Sequence, residues 1–359
     1  MVLPVRQSVR KHVPVAHGGL SSIKNKIPDV IDFSSNVSPM GAPNSVKVAL
    51  KNYLKYIENY PDLNSETLLR SLQRYIGLNK SHIIVGNGAI EILYNFCNIF
   101  LQKKDVLIPV PTFGEYEAAS KLVDSNLRFF KTMNLSQDIE SFAKNIPEKG
   151  CVFICNPNNP TGQLLSKKQI ELIINVAKRK SSTVFVDECF IELVRNTNQS
   201  VVSLVKKYEN LFVLRSLTKS FGLAGIRIGY AVTSKQMADI LNKIKIPWSI
   251  NALAQIAAIV ALQNKKHLVK SKLIIKKEYD FLLSKLSSID GIEFNNSSTN
   301  FILLKTKHDA TDLQRELLKH KILVRNCKNF RGLDDHFIRI AIKSHKDNIK
   351  LIKALEATV

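Results

Sequence analysis

Residues 210–232 read NLFVLRSLTKSFGLAGIRIGYAV. Two apolar runs, NLFVL and GIRIGYAV, flank a polar turn in which Lys219 stands among hydroxyl and small residues, with Arg227 eight positions further on. A lysine this close to a core strand is either a surface charge at a strand end or a group held there for chemistry. The same texture recurs upstream: HIIV (82–85), DVLIPV (105–110), LRFF (127–130), CVFIC (151–155) and TVFVDE (183–188) mostly alternate with helical segments. Short β-branched runs alternating with helices predict an α/β fold around a mostly parallel sheet, here of seven strands.

On either side of this block the pattern changes. SVKVALKNYLKYI (45–57) and SETLLRSLQRYIG (65–77) have helical spacing, the second with Ser65 placed as N-cap and Gly77 as the C-terminal stop. From 235 to about 288 the spacing is helical and long, as expected of a connector. The tail alternates again (IEFNNSSTNFILLK, ATDLQRELLKHK, ILVRNC, FIRIAIK, KDNIKLIKALEA), which predicts a smaller α+β domain. The expected division is an N-terminal arm over 1–45 that contributes to the substrate site and the small domain, a large domain over 46–265, and a small C-terminal domain over 266–359.

The 359 residues carry 52 Lys and Arg against 30 Asp and Glu, a net charge of +22. The lysines recur at helical spacing in segments such as SKKQIELIINVAKRK (166–180), so they read as solvated helix faces that would also attract phosphorylated substrates. The alternative is a non-catalytic nucleic-acid surface. Five cysteines without a CxxC pair do not form a disulfide framework and suit a reducing cytoplasm. Without an apolar core, the basic N-terminus is not a signal peptide, and INALAQIAAIVAL (250–262) is too short to span a bilayer. The expectation is a soluble cytoplasmic protein with no membrane or nucleic-acid partner and no metal.

Ligands of open α/β sheets bind past the carboxyl ends of strands, and four polar clusters stand there: GNGAIE (86–91), NPNNPTG (156–162), DE (187–188) and SLTK (216–219). Each has a plain reading as a turn, a cap or an ion pair. Each also has a chemical one. Glycines before a helix open its N–H groups to a phosphate, and Asn159 can direct an amide at a phenolic oxygen. A buried Asp187 would keep a heteroaromatic nitrogen protonated, Arg227 offers a planar fork for a phosphate, and a poorly solvated Lys219 becomes a Schiff-base nucleophile. Together these are the demands of pyridoxal 5′-phosphate.

The ordered set GNGA.E, PTF, NPNNPTG, DE.F and SLTK.F.LAG.R.GY resembles the fold-type I pyridoxal-phosphate enzymes of the aminotransferase class I/II superfamily over nearly the whole chain. The resemblance implies that Lys219 holds the cofactor covalently, Asp187 pairs with the ring nitrogen, Asn159 bonds the ring oxygen and Phe113 stacks on the ring. The cofactor phosphate would rest on Gly88, Ala89 and Ile90 with Ser216, Thr218 and Arg227. Tyr60 of NYPD would reach that phosphate from a neighbouring subunit, which implies a homodimer.

Two branches compete. SFGLAG after the lysine is similar to the histidinol-phosphate aminotransferases. By contrast, HGG (17–19), DFSSNVSPMG (32–41), IPWSINALAQ (246–255), ILVRNCKNFRGL (322–333) and Phe190 in place of a tyrosine resemble the L-threonine-O-3-phosphate decarboxylases of cobalamin synthesis. By that second resemblance His17, Gly18, Asn36 and Arg325 grip a substrate phosphate, Asn159 also contacts the substrate, and Arg339 matches the arginine that aminotransferases use for a substrate carboxylate.

Overall fold

In the computed structural model residues 5–23, 27–195 and 199–359 are described; parts of the expected arm, 1–4 and 24–26, and residues 196–198 lie outside them. A seven-stranded sheet is built from β1 (Ile83–Gly86), β2 (Asp105–Val110), β3 (Asn126–Lys131), β4 (Cys151–Cys155), β5 (Thr183–Asp187), β6 (Leu211–Ser216) and β7 (Gly229–Thr233). Its order is β1-β7-β6-β5-β4-β2-β3. Six strands share one direction, and β7 runs antiparallel to both neighbours. β4 and β6 are buried at every position; β4 reads as a continuous apolar run, and β6 does so up to Leu214, after which the buried Arg215 pairs with Glu188 at 2.8 Å. β3, at the edge, carries exposed Arg128 and Lys131, which discourage further strand pairing.

Helices cover the faces. Helix α1 (Ala89–Phe100) follows β1 and α2 (Glu115–Leu122) follows β2. Under α1 the rings of Phe96, Phe185 and Phe212 are mutually packed with centroids 4.7–5.0 Å apart, each burial contributing about 1.5–3 kcal/mol. A second, antiparallel sheet comprises β8 (Ile292–Phe294), β9 (Phe301–Thr306), β10 (Arg325–Asn326) and β11 (Phe337–Ala341) in the order β10-β11-β9-β8. Its core joins Leu304, Ile338 and Ile340 to Leu282 of the long helix Lys265–Leu286 and Leu351 of the last helix. Among the described residues no helix is long and apolar enough to cross a membrane.

The structure departs from the sequence reading in three places. GIRIGYAV is not one strand: 224–226 form a 3-10 turn and Arg227 has φ 61°, so pairing starts only at Gly229. Ser65 makes no side-chain cap, because it has φ 53°; Asp62 instead accepts from the Glu66 N–H at 2.7 Å. ILVRNC splits, since Ile322–Leu323 pairs parallel with Ile31–Asp32 whereas Arg325–Asn326 pairs with β11.

Strand order and register position the site. Gly86 and Ser216 each lie opposite Gly229, Asp187 lies opposite Leu214, and Cys155 opposite Asp187. β7 begins where its neighbours end, so Arg227 arrives at the same rim as the loops after β1, β4, β5 and β6.

Candidate active site

At that rim lies a cavity of about 300 Å³. Its wall includes Ala89, Ile90, Phe113, Asn159, Asp187, Ser216, Thr218, Lys219 and Arg227, together with His17, Gly18, Asn36, Arg325 and Arg339. Gly88 caps α1 directly behind Ala89. Tyr60 is not brought in: it is 81% exposed and packs on the Trp248 ring at 4.9 Å.

Lys219 follows β6 in a four-residue helix, half-buried, with its carbonyl accepting from the Ser38 N–H at 2.9 Å. Burial above all, then the charges of Arg339 and Arg227, pull its ammonium down to about 8, although Cys189 and Asp187 act the other way. An amine so placed is a nucleophile near neutral pH.

Asp187 ends β5. Burial pushes its carboxyl above the usual range, opposed by the donors around it: the Cys189 N–H gives a hydrogen bond to Oδ1 at 2.9 Å and the Tyr116 hydroxyl one to Oδ2 at 2.7 Å. A cation arriving in the cavity finds this carboxylate oriented.

Arg339, buried on β11, donates to Oδ1 of Asn159 and to the Ser34 carbonyl, the latter at 2.8 Å. That bond leaves the Asn159 amide N–H₂ as its free donor. Burial depresses the Arg339 guanidinium to about 10, and its Nε is buried without a partner. Asn36 Oδ1 is likewise buried and unpartnered. Arg325, directly opposite Arg339 in the β10–β11 register, donates to the Ala16 carbonyl at 2.6 Å and to Asn329 at 2.8 Å. Among the described residues neither arginine has a carboxylate partner. The cavity wall thus carries Lys219, Arg227, Arg325 and Arg339 against one carboxylate, Asp187. That balance suits ligands with several negative charges.

Gly88 has φ 78°, and a Cβ there would meet the Arg227 guanidinium at 2.6 Å. Only a residue without a side chain lets that guanidinium lie over the first turn of α1, where free N–H groups and the helix dipole already favour an anion. Ser216 Oγ accepts from the Thr218 N–H at 3.2 Å. Phosphate cradle, half-buried amine, oriented carboxylate, free amide and cavity size together fit pyridoxal phosphate.

The sequence reading missed the supports behind this wall. Tyr116, fully buried and stacked on Phe153 at 5.0 Å, holds Asp187. Glu115 binds His17 at 2.6 Å and accepts from the Tyr94 hydroxyl at 2.5 Å. The available signal was PTFGEY (111–116), of which only Phe113 was assigned a role. Ser34 and Cys189 also line the cavity without having been singled out.

The sequence pattern of the aminotransferase class I and II family matches residues 28–356. A Caldanaerobacter subterraneus subsp. tengcongensis protein, named provisionally as a threonine-phosphate decarboxylase, is 37% identical over 96% of this chain and 94% of its own. The histidinol-phosphate aminotransferase of Methanococcus aeolicus is 34% identical over 92% of this chain and 90% of its own. The crystal structure of L-threonine-O-3-phosphate decarboxylase from Porphyromonas gingivalis superposes with a TM-score of 0.82 at 29% identity, covering 90% of this chain and 98% of that one.

Proposed function

We infer the reaction from one premise: the chain belongs to the aminotransferase class I and II family, whose cofactor is pyridoxal 5′-phosphate. The proposed activity is decarboxylation of L-threonine O-3-phosphate to (R)-1-aminopropan-2-yl phosphate and carbon dioxide, by a cytoplasmic homodimer in cobalamin synthesis. The observation that carries this reading is the facing pair Arg325 and Arg339, both without a carboxylate partner among the described residues, beside a cofactor cradle that has its own arginine. Two anion sites match a small substrate with both a phosphate and a carboxylate. In a transamination the same pair would serve the phosphate of one substrate and the carboxylate of the 2-oxo acid in turn, so the preference for decarboxylation rests also on Phe190 and on the 37% identical relative.

When bound, the cofactor supplies an aldehyde for the substrate amine and a protonated ring that draws off the electron pair released at Cα. Asp187, oriented by Tyr116 and the Cys189 N–H, holds the ring proton. Arg227 and the first turn of α1 bind the cofactor phosphate. His17, Gly18, Asn36 and Arg325 would bind the substrate phosphate and Arg339 its carboxylate, so that both ends of the substrate would be fixed and its orientation would select the bond that breaks. Lys219, acidic enough at about 8 to give up a proton near neutrality, delivers one to Cα where the carboxylate leaves. Phe190 lines the cavity without a hydroxyl, so this position would offer no phenol to the bound cofactor.

The Methanococcus relative favours a second reading, histidinol-phosphate transamination. In it Lys219 takes a proton from Cα, and a 2-oxo acid must complete the cycle. The non-catalytic nucleic-acid reading gives way to the family match. For the homodimer, support comes from the exposed Tyr56, Ile57, Tyr60, Ile246 and Trp248, apolar surface of the kind that association covers. The deciding experiment is incubation with L-threonine O-3-phosphate and no 2-oxo acid. Stoichiometric carbon dioxide and aminopropanol phosphate are expected; turnover confined to histidinol phosphate plus 2-oxoglutarate would reverse the order.

A further inference from the structure

We propose that Glu115, held by Tyr94, is a positioning residue that sets the grip of His17 on the substrate phosphate. The proposal rests on the reading of the cavity as a site for a phosphorylated amine. Glu115 is the first residue of α2 and stays outside the cavity wall. Its side chain is 8% exposed, and its two oxygens are bound to His17 at 2.6 Å and Tyr94 at 2.5 Å. The proposed reaction does not use it. Burial opposes its charge, yet the His17 and Tyr94 hydrogen bonds outweigh that cost and hold the carboxyl below its usual range, with His12 adding a favourable charge.

The consequence falls on His17, which lines the cavity with its ring centroid 6.0 Å from that of Phe113. A carboxylate at Nε2 requires a proton there, so Nδ1 is the ring nitrogen left without a protein partner among the described residues. A neutral ring would present the lone pair of Nδ1 to a phosphate and repel it. Only a ring with a proton on each nitrogen can donate to Glu115 on one side and to a phosphate on the other, and a carboxylate and a phosphate are the two partners that suit such a ring. The segment around His17 is also fixed: the Ala16 carbonyl accepts from Arg325 and from Asn329, and the Gly19 N–H donates to Ser34 Oγ at 2.7 Å. Glu115 therefore fixes which ring nitrogen of His17 is taken and which is left for a ligand, beyond holding the segment in place.

The test compares two ligands that differ only by the phosphate, 1-aminopropan-2-yl phosphate and 1-aminopropan-2-ol, titrated calorimetrically into the pyridoxal-phosphate-loaded enzyme. Glu115→Gln is expected to weaken the phosphate ligand about tenfold and the alcohol less than twofold. His17→Gln should cost a similar factor, with nothing further lost in the double variant. Tyr94→Phe, which keeps the charge, should show a smaller loss with the same ligand preference, and it carries the test if the glutamine variant does not fold. In turnover the Glu115→Gln loss is expected in KM more than in kcat. Unchanged affinity for the phosphate ligand, equal losses for both ligands, or additive losses in the double variant would each overturn the proposal. Failure of the wild-type enzyme to release carbon dioxide would refute the decarboxylase reading alone, because the binding comparison needs no turnover.

Discussion

The acidity of Lys219 can be tested through the group that shares its cavity. At about 8, roughly one amine in ten is uncharged at pH 7, whereas an unperturbed lysine near 10.4 would have about one in 2,500. The free nucleophile is therefore enriched about two hundredfold. Burial is the leading cause, and Arg339 follows as the strongest charge effect. Replacing Arg339 by Gln keeps a hydrogen-bond donor beside Asn159 and Ser34 but removes the positive neighbour. The ammonium is then favoured and the Lys219 pKa moves up, by about half to one unit for a partly buried charge pair. Uptake of pyridoxal phosphate by the apoprotein, followed as a second-order rate from its absorbance change across pH 6–10.5, reads this directly. The wild-type rate should climb and level off near pH 8. In the variant the inflection should lie higher, and the rate at pH 7 should fall about three- to tenfold. A wild-type inflection near 10, or one that Arg339→Gln leaves in place or lowers, would refute the electrostatic account.

The other predictions concern single supports of the site. Lys219→Ala should leave no pyridoxyl group on the chain after borohydride treatment, as judged by mass spectrometry; a labelled variant means that the covalent anchor lies elsewhere. Tyr116→Phe removes a hydrogen bond to a buried carboxylate, worth about 1.5–3 kcal/mol, and should weaken cofactor binding at least tenfold in equilibrium dialysis while the ring packing on Phe153 persists. Phe185→Ala empties the centre of the ring cluster under α1 and should cost about 3–5 kcal/mol in urea unfolding. A loss below 1 kcal/mol would show that this cluster is not the core of the large sheet.

What could be read from the chain was what local chemistry dictates. A strand buried on both faces is largely apolar, so CVFIC and NLFVL declared themselves, and polar clusters after such runs marked the rim where Lys219, Asp187, Asn159 and Arg227 line one cavity. The reading failed where backbone conformation depends on neighbours that the pattern does not contain. At Ser65 and Arg227 the backbone takes a left-handed turn, which periodicity cannot register.

The order of amino acids alone thus determined the α/β class and the family resemblance, and singled out Lys219 as the candidate amine, because each rests on short runs and motifs of consecutive residues. Only the tertiary structure decided which supports stand behind them. His17 meets Glu115 across 98 positions, Tyr116 meets Asp187 across 71, and Arg339 meets Asn159 across 180. Such contacts join the N-terminal arm, the helix after β2 and the two sheets, and their pairing across distant positions is something that no local propensity encodes.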